Sequence, residues 1–150
     1  MEWSGVMPAI TTKFTSDDKL DLNLFNKNLE FQLKSGVQAI VLAGSLGEAS
    51  TLSRDEKNIL TKNTVEFVND KIPVVVNIAE QSTKEALESV KCAEKYGASG
   101  LMVLPPMRYK SGRNETISYF ESIAKSTSLP IMIYNLSLIH ISEPTRQAEI

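Results

Sequence analysis

The chain has 150 residues, 42% hydrophobic and 23% charged, with a formal net charge of -2. That balance excludes intrinsic disorder, and the interspersed charges offer no basic surface to nucleic acid. The apolar runs are far too short to span a membrane, and a single cysteine, Cys92, excludes a disulfide framework. A lone thiol suits a reducing compartment, residues 1–5 hold no apolar leader, and a cytoplasmic location is expected. Cys92 itself is expected to pack as a small buried hydrophobe.

In chain order, residues 6–11 form a short apolar run, and helical periodicity follows over 22–33. A second run, 39–43, stops at Gly44-Ser45-Leu46-Gly47-Glu48, after which helical spacing covers 53–69. A third run at 73–79 precedes a helix at 83–96, and a fourth at 100–104 precedes one at 114–126. Residues 130–135 are the fifth run. The runs are continuous rather than alternating, which predicts strands buried on both faces. Strict alternation with helices predicts βαβ units on a parallel sheet. Ser53 with Glu56 fits a capping box, Ser82 or Thr83 starts the third helix, and Gly36 and Gly97 follow helix ends.

The turn after the second run is the most informative stretch. α/β proteins place ligands where parallel strands leave the sheet. Gly44 and Gly47 permit a tight bend and a close approach. Ser45 offers a hydroxyl at the strand tip, and Glu48 a carboxylate nearby. The same residues also suit an ordinary βα turn with a helix cap.

Residues 136–150, LSLIHISEPTRQAEI, have neither helical nor strand period and break the repeat. Back-translated, residues 136–146 spell a common transposase-based sequencing adapter, and residues 147–150 fit the index and the bases after it. Residues 136–150 are read as a non-native tail and set apart from the fold, as a fusion scar would be. His140, the only histidine, falls inside it and is not taken as a catalytic base. Residues 1–135 then hold four βα units and a fifth strand. An open doubly wound sheet fits that count, and so does half of an eight-stranded barrel.

Gly44-Ser45-Leu46-Gly47-Glu48 after the second strand, and Ile131-Met132-Ile133-Tyr134-Asn135 as the fifth, resemble the dihydrodipicolinate synthase / N-acetylneuraminate lyase family. The likeness includes residues 9–12, the Leu52-Ser53-Arg54-Asp55-Glu56 helix start and Val103-Leu104-Pro105. It implies the N-terminal half of a (β/α)8 TIM barrel, from a parent that is a homotetramer and uses no metal or organic cofactor. It implies a lysine Schiff base with pyruvate or a related 2-oxo acid, the iminium serving as an electron sink. By the same likeness Tyr134 is the proton-transfer residue and Ser45 relays to it. The Ser45 and Leu46 amides receive the substrate carboxylate, and Thr12 adds a hydroxyl. Glu48 anchors the turn.

Three departures follow. The family's lysine lies on strand six, where this chain has the tail; Lys13 and Lys110 sit in loop contexts, so the chain as given is expected to be inactive. Met107 stands where dihydrodipicolinate synthases carry a second tyrosine, and Leu46 where they carry a second hydroxyl. Both argue against lysine biosynthesis. The LPPMRYKS stretch resembles members that act as 1-pyrroline-4-hydroxy-2-carboxylate deaminases; an aldolase releasing pyruvate from a sugar-like 2-oxo acid fits nearly as well, and Arg108 and Tyr109 either contact the substrate or cover the barrel rim. A reading of another class is a non-catalytic α/β anion-binding module, whose turn glycines cradle an anion without imine chemistry.

Overall fold

A computed structural model describes residues 3–106 and 111–135. Four helices alternate with four strands: α1 (Leu22–Lys34), β1 (Ile40–Leu42), α2 (Arg54–Val68), β2 (Val74–Ile78), α3 (Thr83–Lys95), β3 (Gly100–Val103), α4 (Arg113–Ser126) and β4 (Ile131–Ile133). All neighbours pair in parallel, in the order β1-β2-β3-β4. A doubly wound sheet reverses its strand order at a switch point. This sheet does not, so the alternative of an open doubly wound fold is set aside.

Side-chain parity shows the same thing. Ile40, Val74, Val76, Leu101 and Ile131 share one face through the strand register. That face meets Phe25 and Leu29 of α1, Leu60 and Val68 of α2, Val90 of α3 and Ile123 of α4. All four helices therefore cover one side. The opposite face carries Val41, Val75, Met102 and Leu104, joined by Trp3, Met7, Ala79 and Met132. A sheet wound on one side only leaves an inner face that must close on itself.

The helix signals behave as expected. Ser53 and Glu56 form the reciprocal capping box, with the Glu56 amide donating to Ser53 Oγ and the Ser53 amide to Glu56 Oε2. Those bonds hold the Glu56 carboxyl below the usual carboxylate range, the Ser53 hydroxyl contributing most. The Glu85 amide donates to Ser82 Oγ. Gly36 and Gly97 take φ of +75° and +83° just past α1 and α3.

Two strand expectations need correction. Residues 6–11 do not form a strand but lie beside β1 with one parallel bridge, Ala9 to Val41. The Ile10 amide donates to Val41 O and the Val41 amide to Pro8 O. Pro8 has no N–H to donate in return, so the ladder stops there. The fifth run is also short of 130–135, and it is not buried on both faces. Among the described residues β4 is the edge of the sheet, and Ile133 is 57% exposed. Cys92 is half-buried rather than buried, and it is a free thiol.

An unpaired edge of apolar residues is a template for further strands. Residues 1–135 made alone are expected to self-associate through β4 and the exposed Val6 segment. Light scattering across a dilution series checks this; a monomer with one cooperative unfolding transition overturns it.

Tyr119 of α4 is 4% exposed, and its hydroxyl has no hydrogen-bond partner among the described residues. Burial, with a smaller contribution from the Glu80 charge, pushes its phenol from 10.0 to about 12. Stability is full while both states keep the phenol protonated, below about pH 10. It is lost as pH rises towards about 12, because the unfolded phenol ionises first. Tyr119→Phe is expected to flatten that alkaline loss and to raise the thermal midpoint near neutral pH, since it removes an unpartnered buried hydroxyl. Denaturation curves across that range for both proteins check the two effects.

Candidate active site

The C-terminal ends of the strands carry the residues singled out from sequence. β1 ends at Leu42, and the next residue, Ala43, takes a left-handed φ of +52°. For an L-residue with a Cβ this conformation costs roughly 1–2 kcal/mol. The chain then makes a single 3₁₀ turn over Ser45–Gly47, and Glu48 closes it, also left-handed at φ +62°. The Gly47 amide donates to Gly44 O, and the Glu48 amide to Ser45 O.

Side chains from two other segments grip this turn. Thr12 Oγ1, 7% exposed, donates to Gly47 O at 2.7 Å. Asn77 Nδ2, from β2, donates to Ala43 O, also at 2.7 Å. Asn77 is 5% exposed, and its Oδ1 has no partner among the described residues. A Cβ added at Gly47 would stand 2.9 Å from Ile10 O. The turn is thus wedged against the first segment, where only glycine fits. Glu48 acts through its main chain: its carbonyl accepts from the Thr51 amide and hydroxyl and from the Leu52 amide. Its side chain is exposed.

Ser45 and Leu46 face outward from the turn, Leu46 being 72% exposed. No carbonyl outside the turn accepts from either amide among the described residues. Tyr134 follows β4 and shares the inner-face parity of Met132, which pairs with Met102. Its amide donates to Val103 O at 2.9 Å, and its side chain is 38% exposed. Ser45 and Tyr134 lie at the same end of the sheet, and no hydrogen bond joins them among the described residues. The proton of Thr12 is engaged by the turn, which leaves its oxygen as an acceptor.

Sequence inspection passed over Asn77 and Ala43. The signal for Asn77 was present: it is the one polar residue within the apolar run 73–79. Nothing in the sequence marks Ala43. Lys57 and Glu80 were also passed over. They pair at 3.0 Å, each about four-fifths buried, and Ser89 Oγ donates to the same Glu80 oxygen. This ties α2 and α3 to the segment leaving β2. Among the described residues no cluster of three His, Cys, Asp or Glu side chains could hold a metal, and no helix is long and apolar enough to cross a membrane. The segment 107–110, with Met107, Arg108, Tyr109 and Lys110, and the tail at 136–150 with His140, lie outside the described residues.

The sequence pattern of the dihydrodipicolinate synthetase family matches residues 2–140. The chain belongs to this family. Family relatives include the 4-hydroxy-tetrahydrodipicolinate synthase of Rickettsia bellii, 38% identical over 134 residues, 89% of this chain and 45% of the relative. The enzyme of the same name from Methanococcoides burtonii is 39% identical over the same shares of each chain. Among solved structures, a prophage protein of the family from E. coli K12, in complex with pyruvate, matches with a TM-score of 0.86. It is 30% identical, over 89% of this chain and 45% of that one. The chloride-inhibited dihydrodipicolinate synthase of Acinetobacter baumannii, complexed with pyruvate, matches at a TM-score of 0.85 and 31% identity, over 88% of this chain and 45% of that one. The chain thus spans a little under half the length of its family relatives. Its fold is the N-terminal half of the family's TIM barrel, and the inner face of its sheet is the barrel interior. The family's enzymes are lyases.

Proposed function

We propose that this chain is the N-terminal half of a Schiff-base-forming lyase acting on pyruvate or a related 2-oxo acid. The observation that carries it is the Gly44–Glu48 turn. The Ser45 and Leu46 amides, on exposed residues, have no carbonyl acceptor outside the turn among the described residues, the turn is gripped from both sides, and Tyr134 stands at the same end of the sheet. Two family structures bound to pyruvate support the substrate class.

In this proposal the Ser45 and Leu46 amides receive the 2-oxo acid carboxylate, as main-chain donors at strand-to-helix turns receive anions. Tyr134 moves the proton beside the imine, with Ser45 as its relay. Thr12 holds the turn and presents its oxygen to the substrate side. The imine lysine comes from outside residues 3–135: no lysine lies on any strand among the described residues. The chain as given is therefore inactive, residues 136–150 are a non-native tail, and the parent is a cytoplasmic homotetramer. Leu46, exposed and apolar where the synthases carry a second hydroxyl, favours a member outside lysine biosynthesis. The LPPMRYKS segment favours 1-pyrroline-4-hydroxy-2-carboxylate deamination among the family's reactions.

The test is borohydride reduction with pyruvate, read by mass spectrometry. The product of the complete reading frame, sequenced through and beyond the Asn135 codon, is expected to gain one reduced pyruvyl adduct on a single lysine. The 150-residue chain is expected to gain none. No adduct on the complete protein favours the anion-binding module instead.

A further inference from the structure

Ala43 is an unusual residue to find left-handed, and nothing in its own side chain supports that conformation. Asn and Asp tolerate φ near +52° through local hydrogen bonds, and glycine through its missing Cβ. Alanine has neither help, so its neighbours must hold it. The neighbour is Asn77. Its Nδ2 donates to the Ala43 carbonyl at 2.7 Å from a site 5% exposed, one strand away and 34 residues distant in sequence. The register explains the meeting. Leu42 pairs with Val76, so the next step along both strands sets Ala43 beside Asn77.

Asn77 interrupts an otherwise apolar inner face, between Val75 and Ala79 and opposite Met102. A buried amide in such surroundings is costly unless its hydrogen bonds are made, and its Oδ1 makes none among the described residues. The residue is therefore not there for packing. Its one bond falls on the strained peptide that sets the direction of the following turn. Thr12 fixes the far end of the same turn through Gly47 O.

We infer that Asn77 is a positioning residue for the Gly44–Glu48 turn: its amide holds the left-handed Ala43 peptide and so aims the Ser45 and Leu46 amides. The functional consequence rests on the proposal that those amides receive the substrate carboxylate. The mechanical part does not.

Asn77→Asp keeps the shape of the side chain and, read at a pH where its carboxyl is ionised, replaces the donor with an acceptor. Ala43→Gly removes the strain that the donor opposes. The longest product of the gene is therefore made as N77D, as A43G and as the pair. Amide hydrogen exchange over residues 43–49 is expected to quicken about tenfold in N77D, the consequence of one lost buried bond. The pair is expected to return to within about threefold of the parent, because glycine holds φ near +52° unaided. Unchanged exchange in N77D, or a pair no better protected than N77D, overturns the inference. Should N77D fail to fold, recovery of folding in the pair supports it and failure of both overturns it.

A second readout separates positioning from mere stability. With the 2-oxo acid as substrate, N77D is expected to raise KM about tenfold with a smaller change in kcat, and the pair to restore KM. If the complete protein forms no imine with pyruvate, the functional proposal falls, and the exchange comparison alone decides the role of Asn77. If the imine forms and KM is unmoved by N77D, the proposal stands and this inference falls.

Discussion

Tyr134→Phe in the complete parent protein is expected to lower kcat by about 10²–10³-fold while leaving the borohydride-trapped imine intact. The substitution removes one oxygen from a side chain that is 38% exposed at the sheet's C-terminal end, so little packing is lost. The fold should therefore be unaffected, with a stability change within about 0.5 kcal/mol. What changes is proton transfer. In the proposed mechanism, imine formation and the carboxylate contacts do not need the phenol, whereas making and consuming the enamine do. Steady-state kinetics with a 2-oxo acid, combined with trapping, separates the two steps. A kcat within about threefold of the parent would remove Tyr134 from the proposed mechanism. Tyr119→Phe serves as the comparison, because Tyr119, on α4, is buried in the cluster of Val76, Val90 and Ile123, away from the inner face.

The second large effect concerns Gly47. Gly47→Ala is expected to destabilise the protein by about 2 kcal/mol and to weaken 2-oxo acid binding at the same time. The added methyl would lie 2.9 Å from the Ile10 carbonyl oxygen. That oxygen belongs to main chain, and the Ile10 amide is itself bonded to Val41 O. No side chain can swing aside, so either the first segment or the turn must move. If the turn moves, the 2.7 Å bond from Thr12 goes with it. Gly44→Ala makes the internal comparison. Its methyl would meet only the Ala9 Cβ at 3.4 Å, near ordinary contact. Urea denaturation should rank G47A well below G44A. Equal midpoints would show that the turn is not wedged against the first segment.

How much of this was legible in the sequence differs from element to element. The helices were legible almost to the residue. Ser53 with Glu56, Ser82 with Glu85, and Gly36 and Gly97 act within a turn or two of chain, so their signals are local and complete in the sequence. The Gly-Ser-Leu-Gly-Glu turn and Tyr134 were legible for a different reason: they match a family pattern at the right spacing. Family membership and the barrel fold follow from that likeness, and their roles in catalysis remain the proposal made above.

The strands were less legible at the sheet's edges. An apolar run shows that a segment wants burial, not whether a neighbour is present to provide it. Residues 130–135 read as buried on both faces, yet β4 has a partner on one side only among the described residues. Residues 6–11 read as a strand, yet Pro8 limits them to one bridge.

Sequence by itself determined the alternation of helices and strands, the helix ends and the glycine-bounded turn, because each depends on residues close together in the chain. Only the tertiary structure decided that all helices cover one face, that Ala43 is left-handed, and that Thr12 and Asn77 hold the turn. Those facts depend on contacts 34 and 35 residues apart in sequence. Sheet register creates such contacts, and register is a property of paired strands rather than of any one segment.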